Sequence, residues 1–193
     1  MAKNKPVYAF EEADSKKRML LGGKGAGLSE MTRLKLPVPP GFTITTEVCN
    51  KYYDNNRKLP KDVMPAVMKN IAKMEKKTGK KWNSTKNPLL VSVRSGAAIS
   101  MPGMMDTILN LGLNEKTVEG FAEQTKNPRF SWDSYRRFIQ LFGKVVFGVN
   151  DEKFDHVLDS AKEKQGVTDD SKLNVESLKK IVAEYKKICE EHT

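Results

Sequence analysis

The sequence is short of the residues that carry most enzyme chemistry. Its 193 residues include only two histidines and two cysteines. Cys49 and Cys189 lie far apart, which excludes a disulfide framework and a zinc spacing, and both are expected to be ordinary buried or half-buried side chains. His156 falls within an expected helix and His192 beside the end of the chain, neither in a nucleophile-like context. No Ser/His/Asp set, no well-placed carboxylate pair and no metal-ligand cluster can be assembled, so neither a catalytic residue nor a metal ligand is assigned. Long apolar runs are also missing. No stretch reaches the roughly 18 residues that a membrane helix needs, and no membrane partner is expected. The opening MAKNKPVYAF holds neither the apolar segment of a signal peptide nor an Arg/Ser-rich amphipathic stretch, so the cytoplasm is the compartment expected.

What is present is charge, unevenly placed. The net charge is +10. Residues 1–94 hold 20 Lys/Arg against 8 Asp/Glu, or +12, while residues 95–193 hold 14 against 16, or −2. A basic half invites a polyanion, either nucleic acid or a polyphosphate ligand. Aromatics interleaved with basic residues, the signature of RNA binding, are absent. No nucleic-acid partner is therefore expected, and most of the lysines, with the KKR run at 16–18, read as solvated surface.

Periodicity and punctuation divide the chain. Residues 7–10 read as a strand, and a helix is expected from Ala26, through Leu28, Met31 and Leu34, until the prolines at 37, 39 and 40 break it. Residues 42–46 form a β-branched strand, and Thr45 or Thr46 can cap the short helix that follows. Val63, Val67, Met68, Ile71 and Met74 share one helical face, with Gly79 placed to end the helix. Residues 89–93 read as a buried strand and residues 107–111 as another. From Asn114 onward helical periodicity dominates, with long helices through Phe130–Val146, from Asp151 to Gly166, and from Val175. The fold expected is α+β (α/β-like): residues 1–113 with a small mixed sheet, then residues 114–193 as a helical subdomain. The chain stops directly after a helical pattern, with no tail composition, as a truncated domain would.

Two segments could carry chemistry. The first is Leu21-Gly22-Gly23-Lys24-Gly25-Ala26-Gly27-Leu28. Glycines ahead of a helix let backbone N–H groups approach a phosphate, and the helix N-terminus adds partial positive charge. Lys24 would add a full one. The segment is not a Walker A loop, because Gly25 stands where Ser or Thr is needed, and it is not G-x-G-x-x-G, because residue 28 is Leu. On spacing alone, a phosphate loop and a flexible loop with a surface lysine are both open. The second segment is Ser92-Val93-Arg94-Ser95-Gly96-Ala97-Ala98-Ile99-Ser100-Met101-Pro102-Gly103-Met104-Met105-Asp106. An arginine after a strand emerges at its C-terminal end, where open sheets place ligands, and its planar fork suits phosphate. The small residues leave room for a ligand, and the Met-Pro-Gly-Met-Met run would fold over it.

Together the two segments resemble pyruvate, phosphate dikinase. The resemblance rests on GGKGAGLSEM at 22–31, LPVPPGFTITTEVCNKYY at 36–53, NPLLVSVRSGAAISMPGMMDTILNLGLN at 87–114 and WDSYRRFIQLFGKVVFGV at 132–149. The SMPGMMDTILNLGLN run is similar to the phosphate-using dikinase and unlike the related phosphoenolpyruvate synthase. A non-catalytic polyanion- or protein-binding module is the reading of a different class. The resemblance implies an ATP-grasp-type domain, incomplete in this chain, that binds ATP with Mg²⁺. In the family the β-phosphoryl group passes to a histidine on another domain and the γ-phosphoryl group to phosphate, which leads to reversible conversion between pyruvate and phosphoenolpyruvate. It further implies that Lys24 and Arg94 contact the nucleotide, that Gly103 lies near the transferring phosphates, and that Ser100 and Met101 are its loop neighbours. Ala98 replaces a basic residue found in some members, which removes one phosphate contact. The metal-ligating lobe, the histidine domain and the pyruvate barrel are expected outside this chain, and a homodimer is expected of the full-length enzyme. The chain alone is expected to be inactive.

Overall fold

A computed structural model describes residues 4–96 and 106–192. The chain folds as two compact units. One comprises residues up to Gly79 together with Ser95 and Gly96, and the other Lys80–Arg94 together with the chain from Asp106. The units thus divide between Gly79 and Lys80 and again between Arg94 and Ser95, whereas the sequence reading places a boundary near 113. The physical reason is that the 107–111 strand packs against a long helix further along the chain, so the strand pair belongs with the helices.

The first unit contains β1 (Val7–Ala9), α1 (Arg18–Arg33), β2 (Phe42–Ile44), α2 (Thr46–Asp54) and α3 (Val63–Thr78). β1 and β2 pair antiparallel, with Tyr8 opposite Thr43. The reversal at the prolines returns the chain alongside its start, where the Phe10 N–H donates to the Gly41 carbonyl at 3.1 Å. Val7 and Ala9 face inward with Leu20, Leu21, Val48 and Ile71. α3 ends as expected, with Gly79 in the left-handed region at φ 70°. Ion pairs from Lys73 to Glu12 and from Lys77 to Glu11 tie α3 to the turn after β1. Those lysines hold both carboxyls below the usual carboxylate range, chiefly through the hydrogen bonds they donate.

The second unit contains β3 (Val91–Arg94), β4 (Thr107–Leu111), α4 (Thr117–Thr125), α5 (Pro128–Phe147), α6 (Asp151–Gln165), a 3₁₀ turn (Asp170–Lys172) and α7 (Val175–Glu190). Three asparagines cap its helices. The side chains of Asn127, Asn150 and Asn174 accept from the backbone N–H groups of Phe130, Glu152 and Ser177, each cap contributing about 1 kcal/mol. The inward faces of α5, α6 and α7 meet in one core, in which Phe154, Leu178 and Tyr185 have no exposed surface. Full burial of such side chains contributes roughly 1.5–3 kcal/mol each. Phe154 and Tyr185 stack edge to face at 4.7 Å between centroids, and the Tyr185 hydroxyl donates to the Phe154 carbonyl at 3.0 Å. Gly143 gives α5 its close approach, since a β-carbon there would lie 2.7 Å from the Phe154 ring and 2.8 Å from the Cys189 sulfur.

Several expectations are corrected. The small mixed sheet is two separate two-stranded antiparallel sheets among the described residues, β1 with β2 and β3 with β4. Parallel ladders occur almost only in sheets covered on both faces, whereas β2 and β3 are largely half-buried or exposed. The 89–93 segment is not a buried strand: Leu89 is buried, but Val93 is 46% exposed on the bulged β3. The first helix begins at Arg18, well before Ala26. Cys49 is exposed, while Cys189 is buried.

Candidate functional site

The glycine segment owes its shape to a break inside α1. Leu20 and Leu21 are buried and anchor the first turn. The Thr46 hydroxyl donates to the Met19 carbonyl at 2.7 Å, with the Leu20 carbonyl at 3.2 Å, and so ties that turn to the start of α2. This hydroxyl was a candidate cap for α2; instead it serves α1, and neither Thr45 nor Thr46 makes a side-chain cap. Gly22 then takes φ 71° and ψ 167°, a conformation essentially confined to glycine. The helix restarts at Gly23 and runs to Arg33. A restarted helix presents first-turn N–H groups without helical acceptors.

The four glycines serve different ends. Gly22 supplies the break. Gly25 supplies a close approach, since a β-carbon there would lie 2.8 Å from Cγ2 and Oγ1 of Thr43 on β2. Ala26 and Ser29 lie on the same buried side, where the Ser29 hydroxyl donates back to the Gly25 carbonyl at 2.9 Å. Gly27 is exposed and meets nothing within 4 Å. Gly23 lies beneath the Arg18 guanidinium, whose Nη2 is 3.4 Å and Nε 3.7 Å from the place its β-carbon would take. Sequence spacing left the cluster open as a phosphate loop or as a flexible loop with a surface lysine. Packing shows that Gly25 belongs to the core side, a role that the alternation of small residues Gly25, Ala26 and Ser29 before β2 could have signalled.

Lys24 occupies the first turn of the restarted helix, half-buried. Its ammonium makes no hydrogen bond or ion pair with a described residue. Arg94 is the last residue of β3, opposite Thr107 of β4, with an exposed side chain. It too has no ion pair among the described residues. β4 is fixed in turn by its packing on α5, with Ile108 buried. Lys24 belongs to the first unit and Arg94 to the second. Ser100, Met101 and Gly103 lie outside the described residues. Arg18, part of the run read as solvated surface, is a cation beside Lys24 that the sequence reading passed over.

Among the described residues no group of three or more His, Cys, Asp or Glu side chains is placed to hold a metal ion. The described carboxylates near the candidate residues do not form a magnesium site by themselves. A groove of about 560 Å³ between α6 and α7, lined by His156, Lys164, Lys180 and Glu184 among others, lies on elements that carry none of the candidate residues. The His192 imidazole contacts Lys153 and the Ile188 carbonyl. No described helix is long and apolar enough to cross a membrane.

Comparison with known proteins shows the family. The family model described as pyruvate phosphate dikinase, AMP/ATP-binding domain, matches residues 18–61 and 55–192, a span that includes Arg18, Lys24 and Arg94. Pyruvate, phosphate dikinase of Entamoeba histolytica is 54% identical over 97% of this chain, and that of Clostridium symbiosum is 50% identical over 96%. The Rhizobium meliloti enzyme is 47% identical over 96%. The chain spans about a fifth of the length of these curated relatives, 21% of each. By the extent of the match, the chain belongs to the pyruvate phosphate dikinase AMP/ATP-binding domain family.

Proposed function

We propose that this chain is the front part of the nucleotide-binding domain of a pyruvate, phosphate dikinase, of ATP-grasp type, and that Lys24 and Arg94 contact the phosphates of ATP. The observation that carries the reading is the break at Gly22. It sets an unpaired lysine in the first turn of a restarted helix, where dipole and ammonium have the same sign. Phosphoryl transfer asks a protein for charge neutralisation and positioning more than for covalent chemistry. Lys24 supplies a compact charge, and Arg94 a fork that can hold two oxygens of one phosphate. The loop residues Ser100, Met101 and Gly103 complete the phosphate contacts.

In the full-length enzyme the β-phosphoryl group of ATP moves to a histidine on another domain and the γ-phosphoryl group to inorganic phosphate. The phosphohistidine then exchanges its group with pyruvate and phosphoenolpyruvate. Mg²⁺ accompanies ATP and neutralises phosphate charge when bound, and its protein ligands come from residues outside this chain. The full-length protein is a cytoplasmic homodimer. Relatives some five times longer support the view that this segment alone does not complete the reaction. In the full-length enzyme, Lys24→Ala and Arg94→Ala should each abolish ATP-dependent labelling of the histidine by β-³²P-ATP. The isolated chain should bind Mg-ATP more weakly than micromolar in isothermal titration. Unchanged labelling in both variants would leave only a binding module for some other polyanion.

A further inference from the structure

We infer that Arg18 is a third phosphate-contacting side chain, acting beside Lys24 from the turn of α1 that precedes the Gly22 break; this rests on the nucleotide reading above. In an unbroken helix, Arg18 and Gly23 would be five positions apart, and an arginine at the start would not lie across that backbone. The break changes the direction of the chain between them. The guanidinium consequently lies over Gly23, with Nη2 and Nε at 3.4 and 3.7 Å from where a β-carbon would stand. Lys24 is the next residue. The Arg18 guanidinium and the lysine that follows Gly23 thus both belong to the start of the restarted helix.

No described residue neutralises them. Among the described residues neither side chain makes a hydrogen bond or ion pair. The acid nearest in sequence within the helix, Glu30, is taken by Arg33 and Ser15. Arg18 is exposed, so its fork is open to a ligand. An anion shared by an arginine and a lysine that lack partners among the described residues gains charge-assisted hydrogen bonds from both. A phosphate group of ATP fits, because a guanidinium can donate two parallel hydrogen bonds to it while the ammonium takes a third oxygen. The backbone that carries Arg18 is anchored by buried Leu20 and Leu21 and by the Thr46 hydroxyl.

The test compares affinities for Mg-ATP and for adenosine in the full-length enzyme carrying Arg18→Ala, Arg18→Lys, Lys24→Ala or Arg94→Ala. Removing a charge-assisted contact should weaken ATP binding about 10- to 100-fold in Arg18→Ala, with adenosine affinity unchanged. Arg18→Lys keeps the stem and the charge but lacks the fork, and should fall between. It also answers the question if the alanine variant fails to fold. ATP affinity within twofold of the parent in both Arg18 variants, while Lys24→Ala loses it, overturns the role of Arg18 and leaves the nucleotide site standing. Equal losses for ATP and adenosine make Arg18 merely structural and also overturn it. If Lys24→Ala and Arg94→Ala leave ATP affinity intact too, the nucleotide reading itself has failed.

Discussion

Replacing the glycines of α1 one at a time separates the three physical reasons assigned to them. Gly22→Ala forces a side chain into φ 71°, ψ 167°, which costs about 1–3 kcal/mol of backbone strain. Gly25→Ala drives a β-carbon to 2.8 Å from Thr43, an overpacking cost of about 1–3 kcal/mol. That penalty has a known source, so it should shrink in a Thr43→Ala background, where both offending atoms are gone. Gly27→Ala meets open space in a helical conformation, and should stabilise by about 0.4–1 kcal/mol through the unfolded chain. For a chain of this length each kcal/mol moves the melting temperature by roughly 2–4 °C. Far-UV circular dichroism should therefore show Gly22→Ala melting about 2–12 °C early and Gly27→Ala slightly late. A Gly22→Ala protein as stable as the parent, or Gly27→Ala as damaging as Gly22→Ala, would refute the assignment of the break to residue 22.

Two further outcomes test the helical unit. Arg136 is 3% exposed and donates to Asp133 Oδ1 from Nε at 2.9 Å and from Nη2 at 2.7 Å, while Asp133 Oδ2 accepts from Arg137. Asp133→Ala strands a buried charge and should cost about 3–5 kcal/mol, toward the lower end because Asp170 lies 3.6 Å from Arg136; urea midpoints measure it. Stability should also fall at alkaline pH. Burial pushes the Tyr185 phenol up to about 12, whereas an unfolded tyrosine ionises near 10. The unfolded chain then releases a proton that the folded chain keeps, so stability declines as pH rises from about 10 towards 12. Urea midpoints measured from pH 8 to 11 should show the decline, and Tyr185→Phe should remove Tyr185's share of that slope. A slope unchanged in Tyr185→Phe would show that the buried phenol is not its source.

The helical half was legible because its cues are local. The apolar stripes of α5, α6 and α7 and the stop at Gly166 lie within a few turns of the residues they govern, whereas the caps at Asn127, Asn150 and Asn174 emerge only from the structure. The strand positions were legible for the same reason, but not their partners, since three- to five-residue strands carry too little pattern to choose between parallel and antiparallel ladders.

By itself, the sequence determined the family and the helical character of the second half. Those are matters of residue identity and short-range periodicity, which no packing can alter. Only the tertiary structure decided that α1 breaks at Gly22, that Gly25 faces Thr43 while Gly27 faces solvent, and that Arg18 lies over Gly23. Each depends on contacts between residues far apart in the chain, such as Thr46 holding the carbonyls of Met19 and Leu20, and one-dimensional spacing carries no record of them.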